Sequence, residues 1–211
     1  DLDMLLSKYL NDKVKTKEEA LQGAKYILAE MISDNAWYRK DIRKHVYFHG
    51  TISSKKKKTA KDDNKIYEMY YAYSEAISKI KPHRILALNR GESEKVLTIS
   101  VDIAEEEILS YLERKVIGKR ESFVNEVVRE AILDSYKRLI FPSVEREIRS
   151  ELKEKGEEAA IANFCKNLEA LLLTPPMKEK VVLGFDPGFV NGCKLAVVDK
   201  NGKYLDSTVI K

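Results

Sequence analysis

The sequence is short of the residue types that mark special environments. It has two cysteines, Cys165 and Cys193, and no motif pairs them. That excludes a disulfide scaffold and makes a reduced, cytoplasmic setting the expectation. No apolar run reaches the roughly 18 residues that a membrane helix needs, so no such span is expected. The first residues, Asp1-Leu2-Asp3-Met4, show neither a basic n-region nor a cleavage site, so no secretion signal is read there. They also lack an initiator Met, and the start reads as a cut. Charge of one sign is scarce as well: 38 basic against 34 acidic side chains leave +4 over 211 residues. This balance attracts polyanions only weakly, so any nucleic-acid contact must come from local clusters. Two of the three histidines, His45 and His49, share a helix face at a zinc-compatible spacing. The residues between them include no Glu and no third ligand is evident, so a helix end facing solvent is expected, with no metal and no cofactor.

What is present is 44% hydrophobic residues, enough for a core, in a length that suits one domain or one domain plus part of another. Thr16 and Glu19 form a capping-box pair ahead of a helix read from Lys17 to Ile32. Its apolar stripe is Ala20, Ala24, Ile27, Leu28 and Met31. Asp34 is a cap for the next helix, where Tyr38, Ile42 and Val46 recur. From Gly50 to Asn64 the periodicity stops and a loop or exposed edge is expected. Tyr67 to Tyr73 read as a short aromatic helix. Pro82 opens a helix running toward Arg90 and ended by Gly91, and Val96 to Val101 read as a strand. Two long helices follow, one around Val124 to Ile132 and one around Ala160 to Leu172. Pro175-Pro176 then stops helical structure and is the expected boundary between a helical region, 1–176, and a second domain, 177–211. Beyond it Val181–Phe185, Lys194–Val198 and Tyr204–Ile210 read as strands joined by Asp186-Pro187-Gly188 and Lys200-Asn201-Gly202 turns. The fold expected is mainly α with a small C-terminal antiparallel sheet.

Several residues invite a chemical reading. A carboxylate ending a first strand before a Pro-Gly turn, Asp186 in Gly184-Phe-Asp-Pro-Gly188, is how two-metal nucleases present one ligand. One carboxylate cannot hold two ions, so Asp186 is at most a vestigial catalytic residue, or simply the start of a turn. Lys55, Lys56, Lys57 and Lys58 form a cluster able to meet phosphates, or a solvated loop that Asp62 and Asp63 partly neutralise. Arg84 and Arg90 either reach phosphate or form ion pairs that lock the loop to the helical core. Phe164-Cys165 lies on an apolar stripe, so Cys165 is expected as a small core residue.

Read together and in order, the blocks around Ala24–Ser33, Tyr71–Glu75, His83–Glu92, Phe141–Glu145, Asn167–Leu173, Gly184–Phe189, Gly192–Lys194 and Ala196–Asp199 resemble the Tex family. The resemblance implies the later helical region and the opening strands of an RNase H-like domain, truncated. It also implies a non-catalytic scaffold within a transcription accessory protein. Tex proteins bind RNA or DNA mainly through an S1 domain outside these blocks, and transcription machinery is an implied partner. Where the family commonly has a basic residue and Thr after the Asp-Pro-Gly turn, this chain has Val190 and Asn191. A phosphate contact beside the turn is thereby lost. The alternative function is a metal-dependent RNase H-like nuclease or resolvase whose other carboxylates lie downstream.

Overall fold

A computed structural model describes residues 2–119, 122–175, 177–188 and 190–211. Asp1, Pro176 and Phe189, which the sequence reading uses, lie outside the described residues. The chain divides into two compact units, residues 1–161 and residues 162–211. The fold is mainly α with two small antiparallel sheets.

In the first unit a short helix α1 (Leu2–Leu6) precedes α2 (Lys17–Ser33). The capping box forms as expected: the Thr16 side chain accepts from the Glu19 amide, and the Glu19 carboxylate accepts from the Thr16 amide. The buried face is rotated from the expected stripe. Ala29 and Ile32 are buried, whereas Ile27 and Met31 are exposed. Small Ala29 sets this register, because its carbonyl accepts a 2.8 Å hydrogen bond from the fully buried Ser135 hydroxyl. The next helix, α3 (Ala36–His49), is capped by Asn35, whose side chain accepts from the Trp37 and Tyr38 amides, and not by Asp34.

The segment expected as a loop or exposed edge contains a strand, β1 (Thr51–Lys56). It is the central strand of a sheet with β2 (Ala72–Ala76) and β3 (Leu97–Asp102), in the order β2-β1-β3. The expected aromatic helix is only one 3-10 turn, Glu68–Tyr70, leading into β2. Burial drives the strand: Ile52 and Ser54 face the core, and the Ser54 hydroxyl donates to the Tyr70 carbonyl at 2.6 Å, so this buried hydroxyl is paired.

Helix α4 (Pro82–Ser93) starts at Pro82 as expected but does not stop at Gly91. Gly91 is buried in the helix because a Cβ there would stand 2.6 Å from Leu97 Cδ1, so it admits β3 against α4. Helix α5 (Glu105–Val116), unread in the sequence, buries Ile108 and Leu112. Helix α6 (Asn125–Asp134) runs through a π-helical segment, Ser135–Ile140, into α7 (Phe141–Leu172). The two helices expected here are therefore one continuous helical run. Val144, Ile148 and Leu152 of α7 enter the core. Arg39 donates to Ser143 at 2.6 Å and to Glu147 at 2.8 Å, and Arg43 pairs with Glu151, tying α3 along α7.

In the second unit β4 (Val182–Asp186), β5 (Cys193–Val198) and β6 (Tyr204–Ile210) form an antiparallel meander. The 199–203 turn is built as its sequence implies. Asp199 accepts from the Asn201 and Lys203 amides, and Gly202 takes a φ of +80°. Cys165 is exposed, against expectation: the apolar stripe of Ile161, Phe164, Leu168, Leu171 and Leu172 is itself exposed, so it offers no core for the thiol.

Candidate nucleic-acid interface

Most of the lysine run is held by backbone, which is unlike a free loop. Lys55 pairs with Thr98 on one side and Ala72 on the other. Lys56 donates its amide to the Tyr71 carbonyl at 3.1 Å, and Lys57 donates to the Val96 carbonyl at 2.9 Å. Successive strand residues point to opposite faces, so Lys55 and Lys56 do not form a one-sided comb. The Lys56 ammonium stands 4.4 Å from the centre of the Tyr71 ring, a cation–π distance. No aromatic interleaves with the lysines in sequence; the fold supplies one.

Asp62 is absorbed into the following turn. Its carboxylate accepts from the Ile66 and Tyr67 amides at 3.0 Å each and from the Tyr71 hydroxyl at 2.8 Å. The Tyr67 amide above all, with the Tyr71 hydroxyl, the Ile66 amide and the nearby Lys56 charge, holds this carboxyl below its usual value. Asp62 therefore orders the ground under Lys56. The register also brings in a lysine that sequence reasoning missed. Lys95, exposed and with a φ of +61°, precedes the residue that Lys57 bonds. Only knowledge of the β1–β3 pairing could have found it.

Arg84 is occupied. Its guanidinium donates to both Glu75 oxygens, at 2.9 and 2.8 Å, and the Tyr73 hydroxyl donates to the same carboxylate. Burial, with the Glu75 hydrogen bond behind it, pushes the Tyr73 hydroxyl up to about 12. This network locks β2 to α4, the ion-pair reading of Arg84. Arg90 pairs with Glu94 at 2.8 Å one turn along the helix but remains 74% exposed, so little holds it back from another anion.

Asp186 ends β4, exposed, with Lys194 opposite it on β5. Among the described residues no group of three or more His, Cys, Asp and Glu side chains is placed to hold a metal ion. His45 departs from the expected solvent-facing helix end. Its Nε2 is buried and lies 3.0 Å from Glu107 Oε2, and its ring is 4.7 Å from that of the exposed His49. No described helix is long and apolar enough to cross a membrane.

Residues 3–164 match the Tex central region-like family, and residues 180–211 match the Tex protein YqgF-like domain. The chain is 53% identical to YdcI of Bacillus subtilis (strain 168), over 94% of this chain and 28% of that protein. It is 34% identical to the S1 RNA-binding domain-containing protein 1 of Pongo abelii, over 99% of this chain and 22% of the relative. It is 32% identical to protein tex of Bordetella pertussis (strain Tohama I), over 98% and 28%. The chain thus spans between 22% and 28% of the length of these relatives. With the ordered sequence blocks and a central-region match that covers most of the first unit, the chain belongs to the Tex family.

Proposed function

We propose that this chain is the scaffold region of a nucleic-acid-binding transcription accessory protein and performs no catalysis itself. The observation that carries the reading is the Tex central-region match over residues 3–164. One relative is named for transcription accessory activity and another for an S1 RNA-binding domain. Their roles come to this chain as a contribution to nucleic-acid binding beside transcription machinery, in the cytoplasm. The contacts on this chain are to phosphate, through Lys55 to Lys58 with Arg90 and, less readily, the tethered Arg84. Fluorescence anisotropy with two unrelated labelled oligonucleotides tests this at two salt concentrations. Weak binding, indifferent to sequence and steeply salt-dependent, is expected. Replacing Lys55 to Lys58 by Ala should weaken binding equally for both and flatten the salt slope. A clear preference for one oligonucleotide would show base readout and overturn the phosphate-only assignment.

The nuclease reading keeps one supporting observation, the Asp186 carboxylate at the end of β4 before its Pro-Gly turn. Against it, the side chain across the strand pair is Lys194 rather than another acid. Labelled RNA, duplex DNA and branched DNA incubated with millimolar Mg²⁺ or Mn²⁺ should remain intact. Cleavage abolished by Asp186→Asn would reverse the conclusion. The segment after α7 also serves as a boundary in this proposal, Pro175 ending helical structure before the β4–β6 sheet. Limited proteolysis should cut first between Thr174 and Lys180, and resistance there with cutting elsewhere would remove the boundary.

A further inference from the structure

Helices α4 and α7 meet closely at one point and leave a groove beside it. A Cβ on Gly156 would stand 3.3 Å from Leu86 side-chain atoms and 3.4 Å from the Pro82 carbonyl oxygen, so the missing side chain permits the approach. The groove has a volume of about 540 Å³, with Leu86 as an apolar wall. Four cations line it: Arg90 from α4, and Arg146, Arg149 and Lys153 from α7. Two carboxylates, Glu92 and Glu157, line it as well. The α7 cations recur at three- and four-residue steps, so they share one helix face. From Arg146 to Lys153 they extend along roughly 10 Å of helix axis. Asn89 and Ser150 add uncharged hydrogen-bonding groups between the charges.

The cations are not equally committed. Arg149 pairs with Glu92, Arg90 with Glu94 at 2.8 Å, and Lys153 sits 3.7 Å from Glu157. The Arg146 side chain is exposed, and among the described residues it has no ion pair or side-chain hydrogen bond. An open trench with surplus positive charge, uncharged donors and one unengaged guanidinium is chemistry for a phosphodiester. A planar guanidinium binds phosphate oxygens through two parallel hydrogen bonds, and weak surface ion pairs such as Arg90–Glu94 exchange partners at little cost.

We propose that the α4–α7 groove is a second phosphate-binding site on this chain, separate from the lysine cluster, which takes the backbone of a nucleic-acid strand with Arg146 as its primary contact. The proposal rests on the reading of the chain as part of a nucleic-acid-binding protein. Apart from Arg90, the residues of this groove are ones no sequence motif marks, because Arg146, Arg149 and Lys153 lie in a helix whose charges look like an ordinary solvated face.

Two measurements on the whole chain separate the site from that reading. In the first, anisotropy of a labelled oligouridine is followed across salt concentrations for the wild type, Arg146→Ala, Arg146→Lys and the Lys55–Lys58 alanine variant. Arg146→Ala should lower the slope of log affinity against log salt by about 1. Arg146→Lys should keep the slope while losing part of the affinity, since it keeps charge without the fork. The effects of Arg146→Ala and of the lysine replacement should add. In the second, tripolyphosphate is titrated while the arginine Nε–Hε resonances are recorded by NMR, and those of Arg146 and Arg149 should shift first. Oligouridine binding that is indifferent to Arg146→Ala, with unmoved arginine resonances, overturns the groove and leaves the general reading standing. Arginine shifts with tripolyphosphate but no oligouridine binding overturn the nucleic-acid assignment instead. Failure of both measurements overturns both.

Discussion

The two sheets are built to similar rules and end in different environments. Each has three antiparallel strands. In the first, β3 alternates between buried and exposed residues, with Leu97, Ile99 and Val101 in the core and Thr98 and Asp102 outside. In the second, β6 is exposed along its length, and Leu183, Phe185, Tyr204 and Val209 are all more than half exposed. In the second sheet the strands are joined by backbone pairing and by the turn that Asp199 and Gly202 build. Burial needs a second layer, which α4, α5 and α7 provide in the first unit. The apolar side chains of β4–β6 contribute little while water reaches them, since hydrophobic stabilisation scales with the area removed from it.

The most direct way to break this comparison is one substitution made in each sheet. Leu97 is completely buried and Leu183 is 60% exposed. Leu97→Ala should cost about 2–5 kcal/mol, the transfer loss plus an incompletely collapsed cavity. Leu183→Ala should stay within about 0.5 kcal/mol. Urea denaturation followed by circular dichroism measures both. Equal losses would mean that β4–β6 is covered in solution and that the contrast is not a property of the protein.

A smaller effect sharpens the same contrast at the glycines that let helices approach other elements. Gly91→Ala places a Cβ 2.6 Å from Leu97 Cδ1 and 3.0 Å from a Tyr67 ring carbon. Overpacking of this kind costs about 1–3 kcal/mol, and the gain from Ala in a helix returns up to about 1 kcal/mol. A net loss of stability is expected. Gly156→Ala meets Leu86 at 3.3 Å, and that side chain can give by a few tenths of an ångström. The helix gain and the crowding should then nearly cancel. Thermal melts of the two variants should rank Gly91→Ala well below Gly156→Ala, and the reverse order would invalidate the packing account of α4.

These glycines also show where sequence reading stops. The capping box at Thr16 and Glu19 was legible because it is local, and so were the start of α4 at Pro82 and the 199–203 turn. Gly91 was misread as a helix end because its reason for being glycine is Leu97, which reaches it through the tertiary fold. Strand β1 was missed because, after Thr51 and Ile52, its Ser and Lys residues carry no aromatic or further β-branched signal and read as a loop. It forms because it lies between β2 and β3 and buries Ile52 and Ser54. The face of α2 was misjudged for a similar reason: the helical period was right, but Ser135 and Ala29 choose which face turns inward. The candidate interface divides in the same way. Lysines 55 to 58 stand out as a run, whereas Tyr71 beneath Lys56, Lys95 beside Lys57 and the capture of Arg84 by Glu75 all depend on register.

The smallest effect tests whether that register also orders the lysine run. Asp62 accepts three hydrogen bonds from the turn that carries Tyr71, and its folded carboxyl is held below the ordinary value of 3.8, first by the Tyr67 amide. A depressed carboxyl stabilises the fold above its unfolded value, and the contribution is lost as pH falls through the folded value. The window therefore lies below pH 3.8, and the turn should be insensitive to pH near neutrality. Asp62→Asn removes the charge and keeps a single acceptor oxygen in place of two. At pH 7 this variant should show faster amide exchange at Ile66 and Tyr67 than the wild type, with the core strand β3 unchanged. As the pH is lowered into the window the wild type should lose its advantage, and the two proteins should converge. A difference that persists undiminished in acid would mean that shape rather than charge fixes the turn. In that case the pairing of Lys56 with Tyr71 would not depend on the Asp62 carboxylate.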